Sequence, residues 1–176
     1  NILKHLSNLA REEITSLNNI AAALTELDFL QAKAKLAKEM KASEPRLTQD
    51  HSLNLLKARH PLIDPEKVVP NDIRLGGEFD TMLITGPNTG GKTITLKTAG
   101  LLQLMAQSGL FIPAEEGSKV GVFKQVYADI GDEQSIEQSL STFSSHINDI
   151  IAIMKNIDSE TLVLIDEIGA GTDPEE

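Results

Sequence analysis

Along residues 2 to about 41, apolar side chains recur every seven positions. Leu3, Ala10, Leu17 and Leu24 form one series; Leu6, Glu13, Ile20 and Leu27 form a second. Seven of these eight are apolar and no Gly or Pro intervenes. A sustained 3.5-residue spacing predicts one long helix packed along a partner helix. Such a helix serves as one arm of a helical hairpin, or as a lever that carries motion from the domain after it. Pro45 ends the region.

The pattern then shortens. Ser52 to Ala58 is predicted as a strand, followed by Arg59-His60-Pro61-Leu62, where the proline biases His60 to extended backbone. Asp64, Pro65, Pro70, Asn71, Asp72, Gly76 and Gly77 punctuate a loop-rich connection. Met82-Leu83-Ile84 reads as a short buried strand, Lys92 to Ser108 as a helix, and Val120 to Ile130 as strand-like. Ile136, Leu140, Phe143, Ile147, Ile150, Ile151 and Met154 recur at three and four, the mark of an amphipathic helix. Leu162-Val163-Leu164-Ile165 is a second buried strand. Strands alternating with helices predict an α/β unit with a parallel sheet. The expected organisation is a helical segment over 1–45 and an α/β domain over 46–176.

Charge and composition narrow the function classes. Residues 1–60 carry 9 Lys and Arg against 7 Asp and Glu, a net of +2, whereas residues 61–176 carry 7 against 19, a net of −12. The second part therefore repels a polyphosphate backbone, although a local cluster of N–H groups can still hold a small anion. The absence of cysteine excludes disulfides, cysteine zinc sites and thiol nucleophiles. Aromatics at 3%, with no Trp, argue against a base-stacking platform. The longest uncharged run, Thr98 to Ala114, is broken by Gln103, Gln107, Gly109 and Pro113, so no membrane helix is expected. The chain opens on Asn1 and stops at Glu176 in a turn-rich segment; the expectation is a piece of a longer cytoplasmic protein.

The strongest chemical signal is Gly86-Pro87-Asn88-Thr89-Gly90-Gly91-Lys92-Thr93, which fits G-x-x-x-x-G-K-[ST]. The glycines let the backbone turn its N–H groups toward phosphate oxygens. Lys92 adds a positive charge at the β- and γ-phosphates, the Thr93 hydroxyl is placed to ligate Mg²⁺, and the following helix points its positive end at the same anion. Chance matches arise at roughly 10⁻⁵ per position from ordinary residue frequencies, which disfavours a coincidental glycine turn. The second signal is Asp166-Glu167 directly after the buried strand Leu162–Ile165. Asp166 falls where ligands bind in open α/β sheets and suits Mg²⁺, usually through water. Glu167 suits a general base or water positioner for attack on a γ-phosphate. A solvated strand end explains Asp-Glu on its own; a phosphate loop 74 residues upstream, counted from Lys92, changes that balance.

GPNTGGKT together with LVLIDEIGAGTDPEE resembles the ATPase core of the MutS family, relatives of the ABC ATPases. The segment from Tyr127 through Asp129, Gln134 and Ser141 to His146 resembles the MutS-two branch, linked to recombination suppression and ribosome rescue. Leu27-Asp28-Phe29-Leu30 and Ala58-Arg59-His60-Pro61-Leu62 match the helix and strand before the ATPase in that family. The resemblance implies part of an α/β, ABC-type P-loop nucleotide-binding domain preceded by a lever helix, with ATP and Mg²⁺ bound and a homodimer in the intact protein. It implies the phosphate loop at Gly86 to Thr93, metal and water-activating acids at Asp166 and Glu167, and a signature segment at Ser141-Thr142-Phe143 reaching the partner's ATP. Ser141 at the start of a helix gives that last role a physical sense, and a plain helix cap is the competing reading. Gln134 is implied near Mg²⁺-bound water, and Gly169, Gly171 and Asp173 at the partner contact.

Some positions depart from the family. Val68 falls where mismatch-repair members place an aromatic against adenine, and Val cannot stack. His60 reads as a packed strand-end residue rather than a catalytic one, His146 as a helix-face residue, and the four His show no metal-ligand spacing. The switch histidine, the dimerising helix-turn-helix and the Smr nuclease domain of full-length members are not within these residues. Branched DNA or stalled ribosomes are therefore expected to be engaged through other domains. Three rivals stand beside this reading: a mismatch-repair MutS-type DNA-binding ATPase, a nucleotide-gated binding module with incidental turnover, and a transporter-type ABC subunit. The last requires L-S-G-G-Q, where this chain has Leu140-Ser141-Thr142-Phe143.

Overall fold

The computed structural model describes residues 2–86, 91–130, 147, 148 and 150–166. The chain divides into two units, Asn1–Glu39 and Met40–Glu176.

The first unit is helical, as the heptad spacing predicts, but it holds two helices rather than one. Helix α1 spans Ile2–Glu12 and α2 spans Ile14–Glu39. The interruption falls on Glu13, the one polar residue in the heptad series, and Leu17 N–H resumes the ladder on Glu13 O at 2.9 Å. Neither helix buries a residue, and Leu3 and Leu24 are 81% and 59% exposed. Helices of this kind draw most of their stability from packing of an apolar face rather than from propensity.

The second unit is mixed α/β. Strands β1 (Arg46–Thr48), β2 (Leu53–Ala58), β3 (Asn71–Leu75) and β4 (Lys119–Gly121) form one sheet in the order β1-β4-β2-β3. The β1–β4 pair is parallel, and β2 runs antiparallel to both β3 and β4. Alternation in β2 sends Leu53 and Leu55 inward, opposite Leu75 and Ile73. Between Leu55 and Ala58 the pairing shifts; Lys57 takes a positive φ of 44°, and its N–H finds Asp72 Oδ1 at 2.8 Å.

Helix α3 (Lys92–Gln107) follows the glycine-rich segment, as predicted. Its Ala99, Leu102 and Ala106, spaced three and four apart, join Leu53, Leu55, Ile73, Ile112 and Val120 in the main core. Leu96 turns instead to a second cluster, of Phe123, Leu162 and Leu164. Thus α3 is buried on two sides. That second cluster belongs to a parallel pair, β5 (Gln125–Asp129) and β6 (Thr161–Ile165).

Three strand expectations change. The sheet expected to be parallel is mixed in its four-stranded part, because β2 runs antiparallel to β3 and β4, and only β1–β4 and β5–β6 pair in parallel. Val120 to Ile130 is two strands in two sheets, because Gln107 on α3 intervenes. Its Oε1 accepts Phe123 N–H at 2.9 Å and its Nε2 donates to Phe123 O at 3.0 Å, pairing with the backbone as a neighbouring strand would. Met82-Leu83-Ile84 forms no strand among the described residues, and Leu83 is 81% exposed. Three apolar residues carry no alternation, and strand pairing is decided by distant neighbours. The helix expected over Ile136 to Met154 is helical at 147, 148 and 150–154; the rest lies outside the described residues.

Candidate functional site

The site starts at the first turn of α3. Gly86 and Gly91 take φ values of +143° and +78°, where L side chains are strained, and a Cβ on either would meet nothing within 4 Å. The glycines are therefore required by backbone conformation and leave open space beside the chain. Gly91 stands at the helix N-cap and makes no side-chain cap bond. Its own carbonyl accepts Thr95 N–H at 2.9 Å and Thr95 Oγ1 at 3.0 Å. Lys92 and Thr93 are half-buried on this turn. Pro87, Asn88, Thr89 and Gly90 lie outside the described residues.

The acidic end comes from the parallel pair. Asp129 closes β5 opposite Ile165, and the next residue, Asp166, donates its N–H to Asp129 O at 2.9 Å. Two half-buried carboxylates thus stand at the carboxyl ends of adjacent parallel strands. Asp166 is where the sequence placed it, one residue past a buried strand. Glu167, Gln134, Ser141, His146 and the 169–173 turn lie outside the described residues.

Beside the first turn of α3 lies a cavity of about 350 Å³, within the range of ligand sites. Gly91, Ile94 and Thr95 form its helix side, and Val68 and His60 stand on the other elements that line it. The loop carrying Val68 is set by Asp64: its carboxylate accepts Glu66 N–H at 3.0 Å and its carbonyl accepts the N–H groups of Lys67 and Val68, each at 2.9 Å. Pro65 after Asp64 suits the first position of such a turn. His60 Nδ1 accepts Leu62 N–H at 3.3 Å. Burial, and then the charge of Lys97, hold the His60 pKa below the ordinary histidine value.

These features fit a phosphorylated ligand. An uncapped helix start behind a positive-φ glycine suits phosphate oxygens, and a cavity of this size lies next to it. A hydroxyl on Thr93 and one carboxylate on Asp166 also match the chemistry of Mg²⁺, which keeps several waters and uses one or two carboxylates plus substrate phosphates. No group of three metal-ligating side chains occurs among the described residues.

Residues 82–176 match the family described as MutS domain V. The chain belongs to the MutS family. Its likeness to the MutS2 branch runs from end to end: it is 92% identical to the endonuclease MutS2 of Lactobacillus helveticus and 89% identical to that of Lactobacillus acidophilus, over 100% of this chain in both cases. The endonuclease MutS2 of Lactiplantibacillus plantarum is 61% identical over 99% of the chain. The chain spans 22% of the length of each of these MutS relatives. No described helix is long and apolar enough to cross a membrane.

Several residues that shape this unit left little trace in the sequence. In the sequence Gln103 only breaks an uncharged run; in the structure it is fully buried and its Nε2 donates to Gly121 O at 2.6 Å and Gln107 Oε1 at 2.5 Å. The four-residue spacing of two amides on one helix was the available signal. Thr95 and Asn71, on the cavity wall, gave no local signal at all.

Proposed function

We propose that this chain is the nucleotide-binding part of a MutS2-type ATPase, and that ATP with Mg²⁺ occupies the first turn of α3. The observation that carries the reading is the meeting of the G-x-x-x-x-G-K-T sequence with an uncapped helix start at Gly91, beside a cavity of about 350 Å³. In this reading the domain is a partial ABC-type P-loop fold over 46–176, and 1–45 is the end of a helical lever.

The residues divide the work by position. Gly86 to Gly91 turn backbone N–H groups to the phosphates, and Lys92 places its ammonium at the β- and γ-phosphates. Thr93 and Asp166 would hold Mg²⁺, with Gln134 near its water; the ion supplies charge neutralisation on the phosphoryl oxygens. Glu167 orients and deprotonates the attacking water. Ser141 acts across a homodimer on the partner's nucleotide. The wider protein would be a cytoplasmic clamp on branched DNA or stalled ribosomes, with the nuclease activity named in its relatives housed outside these residues.

Lys92→Ala tests the assignment. Loss of its charge is expected to weaken ATP·Mg²⁺ binding at least tenfold, about 1.4 kcal/mol. A fluorescent-nucleotide titration giving equal affinity for parent and variant would remove the phosphate-loop reading.

A further inference from the structure

Strand β2 ends irregularly. The pairing shift between Leu55 and Ala58, with Lys57 at positive φ and held by Asp72, bends the last residues of the strand. Past that shift Ala58 and His60 line the cavity beside α3, whereas Arg59 between them does not. Successive residues of extended backbone face opposite ways. Arg59 reaches the other side, where its Nη2 donates to Lys41 O at 2.7 Å and to Met40 O at 3.4 Å. Those carbonyls belong to the backbone directly after the last residue of α2.

Lys41 is strained. Its φ of 48° lies in the left-handed region, where many helices end but where glycine is the usual residue and a Cβ is disfavoured. Such a residue persists only where its surroundings fix it. Two contacts do so. One is the Arg59 guanidinium. The other is Ser43, which exchanges N–H···O bonds with Ile112 at 2.9 and 3.0 Å and donates from Oγ to Ala114 O at 2.7 Å. Arg59 N–H donates to Pro113 O of the same short segment at 2.9 Å. The backbone leaving α2 and the end of β2 are thus fastened to one segment and to each other.

We propose that Arg59 is a conformational clasp between the cavity and the stop of α2. With the clasp made, Lys41 is left-handed and α2 stops at Glu39. With it released, Lys41 relaxes to right-handed backbone and the Ser43–Ile112 bridge opens. A ligand against Ala58 and His60 holds the end of β2 in the register that aims Arg59, so an occupied cavity favours the clasped state, by as much as the ligand prefers that state. The inference rests on the nucleotide reading above and adds the residue through which occupancy is felt on the far side of β2.

Hydrogen exchange of the intact protein, followed by mass spectrometry over Ser43 and Ile112, tests it, with thermal melting to check that each variant is folded. In the parent, saturating ATP·Mg²⁺ should slow exchange there about fivefold or more, the low end of coupling between sites. Arg59→Ala should exchange faster and lose the response to ATP. Lys41→Gly takes the positive φ without strain; it should exchange slowly even without ATP, and should restore slow exchange when added to Arg59→Ala. By reciprocity Arg59→Ala should also weaken ATP by the factor seen in exchange. Faster exchange in Arg59→Ala with the full ATP response retained would make the contact merely structural and overturn the proposal. A parent that binds ATP with no change at Ser43 and Ile112 overturns this proposal alone. A parent that binds no ATP overturns it together with the nucleotide reading.

Discussion

A Cβ built on Gly100 would lie 2.5 Å from Leu164 Cδ1, so α3 and β6 meet where a side chain has no room. Leu164 is 6% exposed and packs with Phe123 and Leu162, which limits its freedom to swing aside. The contact matters for the site because α3 opens with Lys92 and Thr93, while β6 leads into Asp166. The closeness of helix to strand sets where the first turn of α3 and Asp166 can stand.

Gly100→Ala should therefore destabilise despite its better helix propensity. The propensity gain is up to about 1 kcal/mol, and overpacking costs about 1–3 kcal/mol. A net loss of about 1 kcal/mol is expected as a lower urea midpoint. The Leu164→Ala background should relieve it, giving a favourable coupling in a double-mutant cycle. Additive effects of the two substitutions would mean that the contact yields without cost.

Turnover separates the acids from the phosphate loop. In the intact protein Glu167→Gln should keep ATP binding and slow hydrolysis by about 10²-fold or more, the scale of a lost general base. Ser141→Ala should also lower turnover, and mixing it with Lys92→Ala subunits should restore part of it if each site is shared between chains. Mixed dimers with no recovery would rule out the shared site.

What was legible in the sequence follows the range of the interactions. Helix α3 and strand β6 were readable because each is written locally, in a glycine-rich start and in a β-branched run ending at Asp166. The second unit's cavity was not readable, because His60, Val68 and Thr95 are joined by folding and not by spacing. Phe123 illustrates the same limit. Nothing near it marks the end of a strand; the amide of Gln107, 16 residues earlier, takes the partner's place there. The helical segment was readable as helix, whereas its break at Glu13 was not, because the heptad spacing runs on through that position.

The turn between β1 and β2 gives a pH signature. Asp50 accepts the hydroxyls of Thr48 and Ser52, each at 2.7 Å, and these bonds pull its pKa from 3.8 to about 2. A folded-state pKa below the unfolded one stabilises above about pH 4, and that contribution is lost as pH falls through about 2. Asp50→Asn should thus be less stable than the parent at pH 5, and the gap should close between pH 4 and 2. Urea midpoints of the two proteins across that window measure it; a gap that stays constant would assign the turn no ionic role.

The remaining question is whether this chain itself touches nucleic acid. Non-specific binding rests on Lys and Arg neutralising phosphates, and residues 61–176 carry a net of −12. The basic run Lys33, Lys35, Lys38 and Lys41 is the strongest counter-candidate. It is not one continuous helical face: Lys33 Nζ sits 5.5 Å from the centre of the Phe29 ring, and Lys41 lies past the end of α2 with a φ of 48°. The chain should therefore bind duplex or branched DNA only at ~10⁻⁴ M or weaker at physiological salt, at the weak end of non-specific binding. Fluorescence anisotropy at that salt decides the matter. Submicromolar binding, abolished when the four lysines are replaced by Ala, would move the nucleic-acid surface onto these helices.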